Sequence, residues 1–420
     1  VLRQSSPNRG ASRRGMGAAA GALLLAAAPA AAGTLLQPAH ADDVRGGQQA
    51  VIETLKLPQA WRTSKGAGVL VAVLDSGVDP GHRDLAGAVR VGKDFTEGAN
   101  PPGIAPSRLH GTYMASLIAG HGHGPQGKRG IIGVAPEADV LSVRVILEDE
   151  EPGFREFNSA ERFENVVAKG IRYAVDEGAD VINMSISKEL ATREERAAIR
   201  YAISKGVVLV AAAGNRGDRK VEGDFAPYSY PAAFPGVVSV GATDERLRRA
   251  TFSNWNSSVL VAAPGVDIMG AGPGDEYWVG RGTSQASALV SGVAALIKAR
   301  HPRMSPPLVA RAMADSATDR PPGGYDTATG FGIVNAAKAL AEAARLAGHT
   351  ETAAGDQAQD PARPLAGGQA GPVEVIVRDE RRVTVYTAVA AAAGAGALAS
   401  LAVIFVLVRR VRRAAMAQDA

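Results

Sequence analysis

Cysteine is absent from all 420 residues. That single absence excludes thiolate nucleophiles, disulfide staples and Cys-ligated zinc. Aromatic residues are scarce at 5%, yet 46% of the chain is hydrophobic, so a sizeable core must rest on small aliphatic side chains and close backbone approach. Large domains with adequate cores need no disulfides, so the missing cysteine leaves the compartment open. A strong net charge is lacking too. The formal +4 comes from the ends: Arg3, Arg9, Arg13 and Arg14 stand without an acid in residues 1–41, and Arg409, Arg410, Arg412 and Arg413 face only Asp419 in residues 409–420. What lies between carries about −3. No basic face of the size nucleic acid requires is evident, and nucleic acid is not an expected partner.

The ends are instead those of an exported, anchored chain. Basic residues precede an apolar Ala/Gly/Leu run from about Met16 to Leu36, and Ala39-His40-Ala41 matches the small-x-small cleavage pattern. Residues 1–41 are therefore expected to be a signal peptide, with Asp42 the first mature residue. At the other end, Val383 to Val408 is 26 residues without a charge. As a helix this run spans roughly 39 Å, enough for a hydrocarbon core of about 30 Å. Four arginines follow it and two, Arg381 and Arg382, precede it, so the tail 409–420 is expected on the cytoplasmic side and the rest outside the cytoplasm. Residues 347–382 lose periodicity and fill with Ala, Gly, Gln and Pro, the composition of a flexible linker.

Between them, residues 65–346 alternate two periods, after a short extension at 42–64. Apolar runs at Val69–Leu74, Val140–Ile146, Val181–Met184, Val207–Ala211 and Val237–Val240 read as strands. Helical patterns cover Ser159–Glu177, Thr192–Lys205, Ser284–His301 and Pro306–Ser316. Strands apolar on nearly every residue, spaced by helices, predict an α/β fold with a mostly parallel, doubly wound sheet. Chemistry in such sheets sits beyond the carboxyl ends of the strands.

Four short motifs end elements in that way. Asp75 closes the run VAVLD before Ser76-Gly77. His110 precedes Gly111 at a helix start, Asn215 follows Ala211-Ala212-Ala213-Gly214, and Ser284 opens a helix after Gly282-Thr283. Each alone has a plain alternative: a turn carboxylate, a capping or surface histidine, an N-cap serine. Together they give a carboxylate to orient a histidine, a histidine to act as base, a serine nucleophile and an amide donor for an oxyanion. Their order is Asp…His…Ser, one of the three orders known for this constellation.

The stretches VAVLDSGVDPGHRDL, HGTYMASLIAG, GVAPEADVLSVRV, GADVINMSIS, VAAAGN and RGTSQASALVSGVAAL resemble the subtilases over about residues 50–346. The resemblance implies a subtilisin-like serine endopeptidase acting on protein or peptide substrates. It implies a triad of Asp75, His110 and Ser284, an oxyanion hole completed by Asn215, and a cleft lined by Ser185, Ile186, Ser187, Ala212, Ala213 and Gly214. Ala288 stands where the family usually has proline, and Ser187 and Ser116 where it has glycine. The whole architecture resembles the mycosins, membrane-anchored proteases of type VII secretion systems, which implies a processing role beside such a membrane complex. A structural stabiliser of that complex and a general anchored degradative subtilase are the alternatives.

No cofactor is required by such chemistry and no metal ligand set is expected. Asp84 resembles a calcium-ligand position of some subtilases, but no Asn- or Asp-rich partner loop accompanies it. His121 and His123 in HGHG read as a solvated loop, Glu148–Glu151 as an acidic surface insertion at the cleft rim, and residues 192–196 as a solvated helix face.

Overall fold

The structure is a computed structural model and describes residues 36–38, 44–219, 225–347 and 380–416. The expected leader up to residue 35, the cleavage pattern at Ala39-His40-Ala41, Asp42 and most of the expected linker lie outside the described residues. Two compact units divide the chain, Val1–Thr350 and Glu351–Ala420.

The described strands are β1 (Leu36–Pro38), β2 (Leu70–Asp75), β3 (Val89–Asp94), β4 (His121–His123), β5 (Arg129–Ile132) and β6 (Asp139–Arg144). They continue with β7 (Val181–Met184), β8 (Val208–Ala212), β9 (Val237–Thr243), β10 (Val261–Pro264), β11 (Ile268–Ala271) and β12 (Tyr277–Gly280). The helices are α1 (Val44–Gly47), α2 (Gln49–Thr54), α3 (Leu57–Ala60), α4 (Leu109–Ala119), α5 (Phe154–Ser159) and α6 (Val166–Asp176). After them come α7 (Arg193–Ser204), α8 (Thr283–Arg300), α9 (Pro306–Asp315), α10 (Ala336–Leu346) and α11 (Glu380–Met416).

Seven strands make one parallel sheet in the order β10-β9-β8-β7-β2-β6-β3. Successive side chains of a strand face opposite layers, and the core divides accordingly. Val71 and Val73 pack with residues of α4, α8, α9 and α10, whereas Ala72 and Leu74 pack with residues of α6 and α7. Coverage on both faces is why the strands read as unbroken apolar runs. Within the first layer α8 is enclosed all round: every residue from Thr283 to Lys298 is buried. Such a helix has no solvent face, so its residues are mostly small or apolar, and even its polar Ser284, Gln285, Ser287, Ser291 and Lys298 are buried.

The five expected strands are found with ends no more than three residues from those expected, Val181–Met184 with none. Three differences have physical reasons. The helix expected over Ser159–Glu177 is broken: Ala160 is extended at φ −86°, ψ 127°, and Phe163 folds back onto Phe157 at 4.9 Å between ring centres. Strand β3 was not expected because it is a sheet edge, with Arg90, Val91 and Lys93 exposed, and so lacks an apolar run. The start of α7 is more than a solvated face. Thr192 and Glu195 form a reciprocal cap, and the fully buried Glu195 carboxylate is also held by Lys188.

Strand β1 pairs antiparallel with β12, opposite Gly280 to Trp278, although its residues fall inside the expected leader. In the second unit, Thr384–Arg409 is long and apolar enough to cross a membrane by length and composition, with mean hydropathy 2.3.

Candidate active site

Three neighbouring strands, β8, β7 and β2, end side by side; β2 and β8 run into residues singled out by their motifs, and β7 into one that the resemblance implies. Asp75 is the last residue of β2 and Ser185 the first after β7, while Asn215 lies three beyond β8. The carboxyl edge of the sheet thus gathers groups far apart in the chain, as doubly wound topology dictates.

Asp75 is fully buried, and its Oδ1 accepts the N–H of Ser76 at 2.7 Å. Its two oxygens lie 2.8 and 3.0 Å from Nδ1 of His110. An ionised carboxylate only accepts, so Nδ1 carries the proton and Nε2 is left with a lone pair facing away from Asp75. Gly111 makes this approach feasible: a Cβ there would sit 2.0 Å from the Gly77 carbonyl oxygen. Burial disfavours a charged His110, but the charge and hydrogen bond of Asp75, with the charge of Glu148, outweigh it, and its pKa lies above the ordinary value of 6.5.

Ser284 is the second residue of α8 and is 5% exposed, so its backbone N–H belongs to the unpaired first turn of the helix. Its hydroxyl donates to the Ser185 carbonyl at 3.2 Å. Asn215 is oriented by Thr283, whose N–H and Oγ1–H both donate to Asn215 Oδ1 at 2.9 Å. A backbone N–H can only donate, so that atom must be the oxygen and the amide NH₂ points the other way. Gly214 before it holds φ +104°, and a Cβ there would lie 2.4 Å from Asn254 Nδ2. Asn254 in turn donates to Ala213 and Pro227 carbonyls and accepts from Arg216 N–H, locking the turn. The arrangement thus holds a histidine paired with a buried carboxylate, a serine at a helix start and an amide oriented by the residue before that serine.

The six residues expected to line the cleft differ in what they offer. Ser185 and Ile186 are buried, with Ser185 Oγ donating to the Ser284 carbonyl at 2.9 Å. Ala212 and Ala213 are buried, Ala213 N–H donates to Val240 and Gly214 N–H to Thr283 Oγ1, so this wall has its amides engaged. Ser187 is exposed, and its hydroxyl meets that of Ser229 at 2.5 Å. Ala288 leaves α8 unbroken from Thr283, and the buried Ser116 hydroxyl accepts from Ala271 N–H at 2.9 Å, joining α4 to β11.

Sequence reasoning missed several supporting groups. Thr283 and Asn254 orient the amide, and nothing in their local sequence distinguishes them from ordinary turn residues. The acidic run is not a mere surface insertion. Glu151 is buried and paired with Arg144 at 2.6 Å, and Glu148 turns inward toward the start of α4; only Asp149 and Glu150 are exposed. Nor is His123 simply solvated: its Nδ1 lies 2.6 Å from Oδ1 of the fully buried Asp84. Asp84 Oδ2 accepts Ile131 N–H at 2.7 Å and Tyr277 O–H at 2.9 Å, and burial together with this carboxylate pushes the Tyr277 phenol above its ordinary range. Asp84 is thus engaged by protein donors on both oxygens. Arg45 closes the same corner, donating to the carbonyls of Gly127 and Gly130 at 2.9 and 3.0 Å. Asp84→Ala leaves these donors unmatched and is expected to lower stability by about 3 kcal/mol. Urea unfolding of the full chain, made in a Ser284→Ala background to prevent self-digestion, measures it.

The Subtilase family model matches residues 66–332. Thermitase of Thermoactinomyces vulgaris is 37% identical over 245 residues, covering 58% of this chain and 80% of that protein. The major intracellular serine protease of Bacillus subtilis (strain 168) is 36% identical over 250 residues, covering 59% and 74%. Among solved structures, MycP1 from Mycobacterium smegmatis aligns at TM-score 0.57 and 28% identity, over 69% of this chain and 84% of that one. MycP3 protease from the type VII (ESX-3) secretion system aligns at 0.58 and 32%, over 70% and 88%. The chain belongs to the subtilase family and is a subtilisin-like serine endopeptidase, structurally close to the mycosins.

Proposed function

We propose that Asp75, His110 and Ser284 are the catalytic triad of this peptidase and that Asn215 completes its oxyanion hole. The observation that carries the reading is the contact of His110 Nδ1 with the buried Asp75 carboxylate at 2.8 Å, at the strand edge where Ser284 also sits. Ser284 Oγ attacks the scissile carbonyl carbon while His110 Nε2 takes its proton. The tetrahedral oxyanion is met by the Ser284 backbone N–H and Asn215 Nδ2–H. His110 returns the proton to the leaving amine, and water then repeats the sequence on the acyl-enzyme. In the resting arrangement the Ser284 hydroxyl is turned to Ser185, so its contact with His110 forms as substrate displaces it. An extended peptide lies between Ser185–Ser187 and Ala212–Gly214, with strand-like pairing on the Ser185–Ser187 side because the amides of Ala213 and Gly214 are engaged. Every role in this reaction is filled by a side chain or backbone amide, and no cofactor enters it.

The same reading places the enzyme on the membrane. The apolar helix at Thr384–Arg409 and the likeness to MycP1 and MycP3 support anchoring and a processing role beside a type VII secretion complex, with the peptidase outside the cytoplasm. Fluorophosphonate labelling tests the chemistry: an adduct that disappears in Ser284→Ala is expected, and an adduct that persists overturns the triad. Comparing exported-protein termini in wild-type, Ser284→Ala and deletion strains tests the role. Unprocessed clients are expected in both mutants, whereas normal processing in the Ser284→Ala strain overturns it.

The base must be unprotonated to work. Because His110 is shifted upward, kcat/KM is expected to rise with pH along an acid limb centred above 6.5. For stability the sign runs the other way. The raised value favours the folded state fully below the unfolded pKa, and that contribution is lost as pH rises through the folded one. Rate–pH profiles on a peptide substrate read the first effect directly.

A further inference from the structure

Helix α4 carries His110 in its first turn but begins without an ordinary cap. Arg108 stands at the N-cap position in the left-handed region, φ 59°, and its side chain caps nothing. The orphan N–H of His110 is instead satisfied by Glu148, whose Oε1 accepts it at 2.9 Å from 38 residues away. The same oxygen accepts the hydroxyl of Ser76, the residue after Asp75, at 2.6 Å, while Oε2 accepts Ser107 Oγ–H at 2.9 Å. Ser76 Oγ in turn accepts the N–H of Gly111 at 3.1 Å. One carboxylate therefore ties the end of β2 to the start of α4, the two segments that present Asp75 and His110 to each other.

Glu148 is itself held. Its carbonyl accepts Glu151 N–H at 2.9 Å, and its N–H donates to Glu151 Oε1 at 3.1 Å. Glu151 Oε2 is paired with Arg144, which also reaches Asp94 at 3.0 Å. The acidic run is thus a tight turn pinned to the last residue of β6. A carboxylate at a helix N-terminus, accepting an orphan amide, is favoured by both the hydrogen bond and the helix dipole.

We propose that Glu148 is a positioning residue for the Asp75–His110 pair, setting the placement of the imidazole by tying the end of β2 to the start of α4. This rests on the triad reading above. Among the described residues two charged groups favour a protonated His110, Asp75 from β2 and Glu148 from the turn after β6. The Arg144 guanidinium is engaged by Asp94 and Glu151, and Ser284 on α8 is neutral. Glu148 touches no reacting atom and acts through the histidine.

Two variants separate charge from geometry, measured as rate–pH profiles on the full chain with a peptide substrate. Glu148→Gln keeps an oxygen to accept the His110 and Ser76 donors but removes the charge. Its plateau kcat is expected within a few-fold of wild type, with the acid limb moved to lower pH. Glu148→Ala removes both, and misplacing the base should reduce plateau kcat by about 10- to 100-fold with KM little changed. An acid limb unmoved in Glu148→Gln overturns the electrostatic part. A Glu148→Ala variant with wild-type kcat overturns the positioning part. A purely structural role would lower the melting temperature of both variants without moving the acid limb. Failure of the triad reading shows separately, as wild-type activity that survives Ser284→Ala.

Discussion

Replacing Ser284 with alanine is expected to reduce kcat by about 10⁶-fold, a magnitude that belongs to the nucleophile of subtilisin and is carried over here to a relative. The reason lies in how the three side chains depend on one another. Without Oγ there is no acyl-enzyme, and the correctly oriented His110 has no proton to accept. His110→Ala should therefore cost about as much, and adding it to Ser284→Ala should cost almost nothing further. The residue left is catalysis by binding and oxyanion stabilisation alone, about 10³–10⁴ over water. Single-turnover hydrolysis of an activated ester on purified single and double variants makes the comparison. Losses that multiplied in the double variant would mean that His110 and Ser284 act independently, and the triad reading would fall. Ser284→Ala should otherwise fold normally, because its hydroxyl makes one modest contact with Ser185.

Asn215→Ala is expected to lower kcat by about 10²–10³-fold with KM near wild type, because its donor engages only when the carbonyl oxygen acquires charge. The substitution also removes the acceptor used by Thr283 N–H and Oγ1–H. Asn215→Asp serves as the partner experiment: it keeps that acceptor but exchanges a donor for a negative charge aimed at the oxyanion. If orientation of Thr283 were the main role, the aspartate would rescue activity. If donation is the main role, it should be at least as slow as the alanine variant. Titration with a fluorophosphonate, counting active sites before kcat is taken, keeps misfolding from imitating either result.

The placement of the candidate residues at one edge of the sheet was legible in the sequence, for a definite reason. Asp75, Ser185 and Asn215 stand at the ends of runs so apolar that they must be buried strands, and parallel strands bring their carboxyl ends together whatever lies between them. Glycines at 111 and 214 advertised positions where a side chain would collide with backbone or with Asn254. What stayed hidden depends on contacts across the fold. Glu148 sits in a run of acids that local chemistry reads as solvated, and only the turn pinned by Arg144 swings it under α4. His123 resembles a loop histidine until the chain between His121 and Ile132 folds back over Asp84. Strand β3 was invisible because an edge strand needs an apolar residue on one face only, and after Val89 and Val91 that face passes to Lys93. The broken helix before α6 was misread because periodicity registers which positions are apolar, not whether the backbone stays helical between them.

Helix α8 has a consequence for how the enzyme would lose activity. Ser284 is mounted on the element enclosed on every side, not on a surface loop that can open by itself. Local opening free energies are low where few buried contacts must break and approach the global value in a central helix. Amide hydrogens in the middle of α8 should therefore exchange with solvent only when the whole peptidase unit unfolds. On heating, the disappearance of fluorophosphonate-reactive serine and the release of those amides should follow one curve. Ser284 is mounted on the helix at the centre of the unit, so loss of its reactivity on heating amounts to a report on the core.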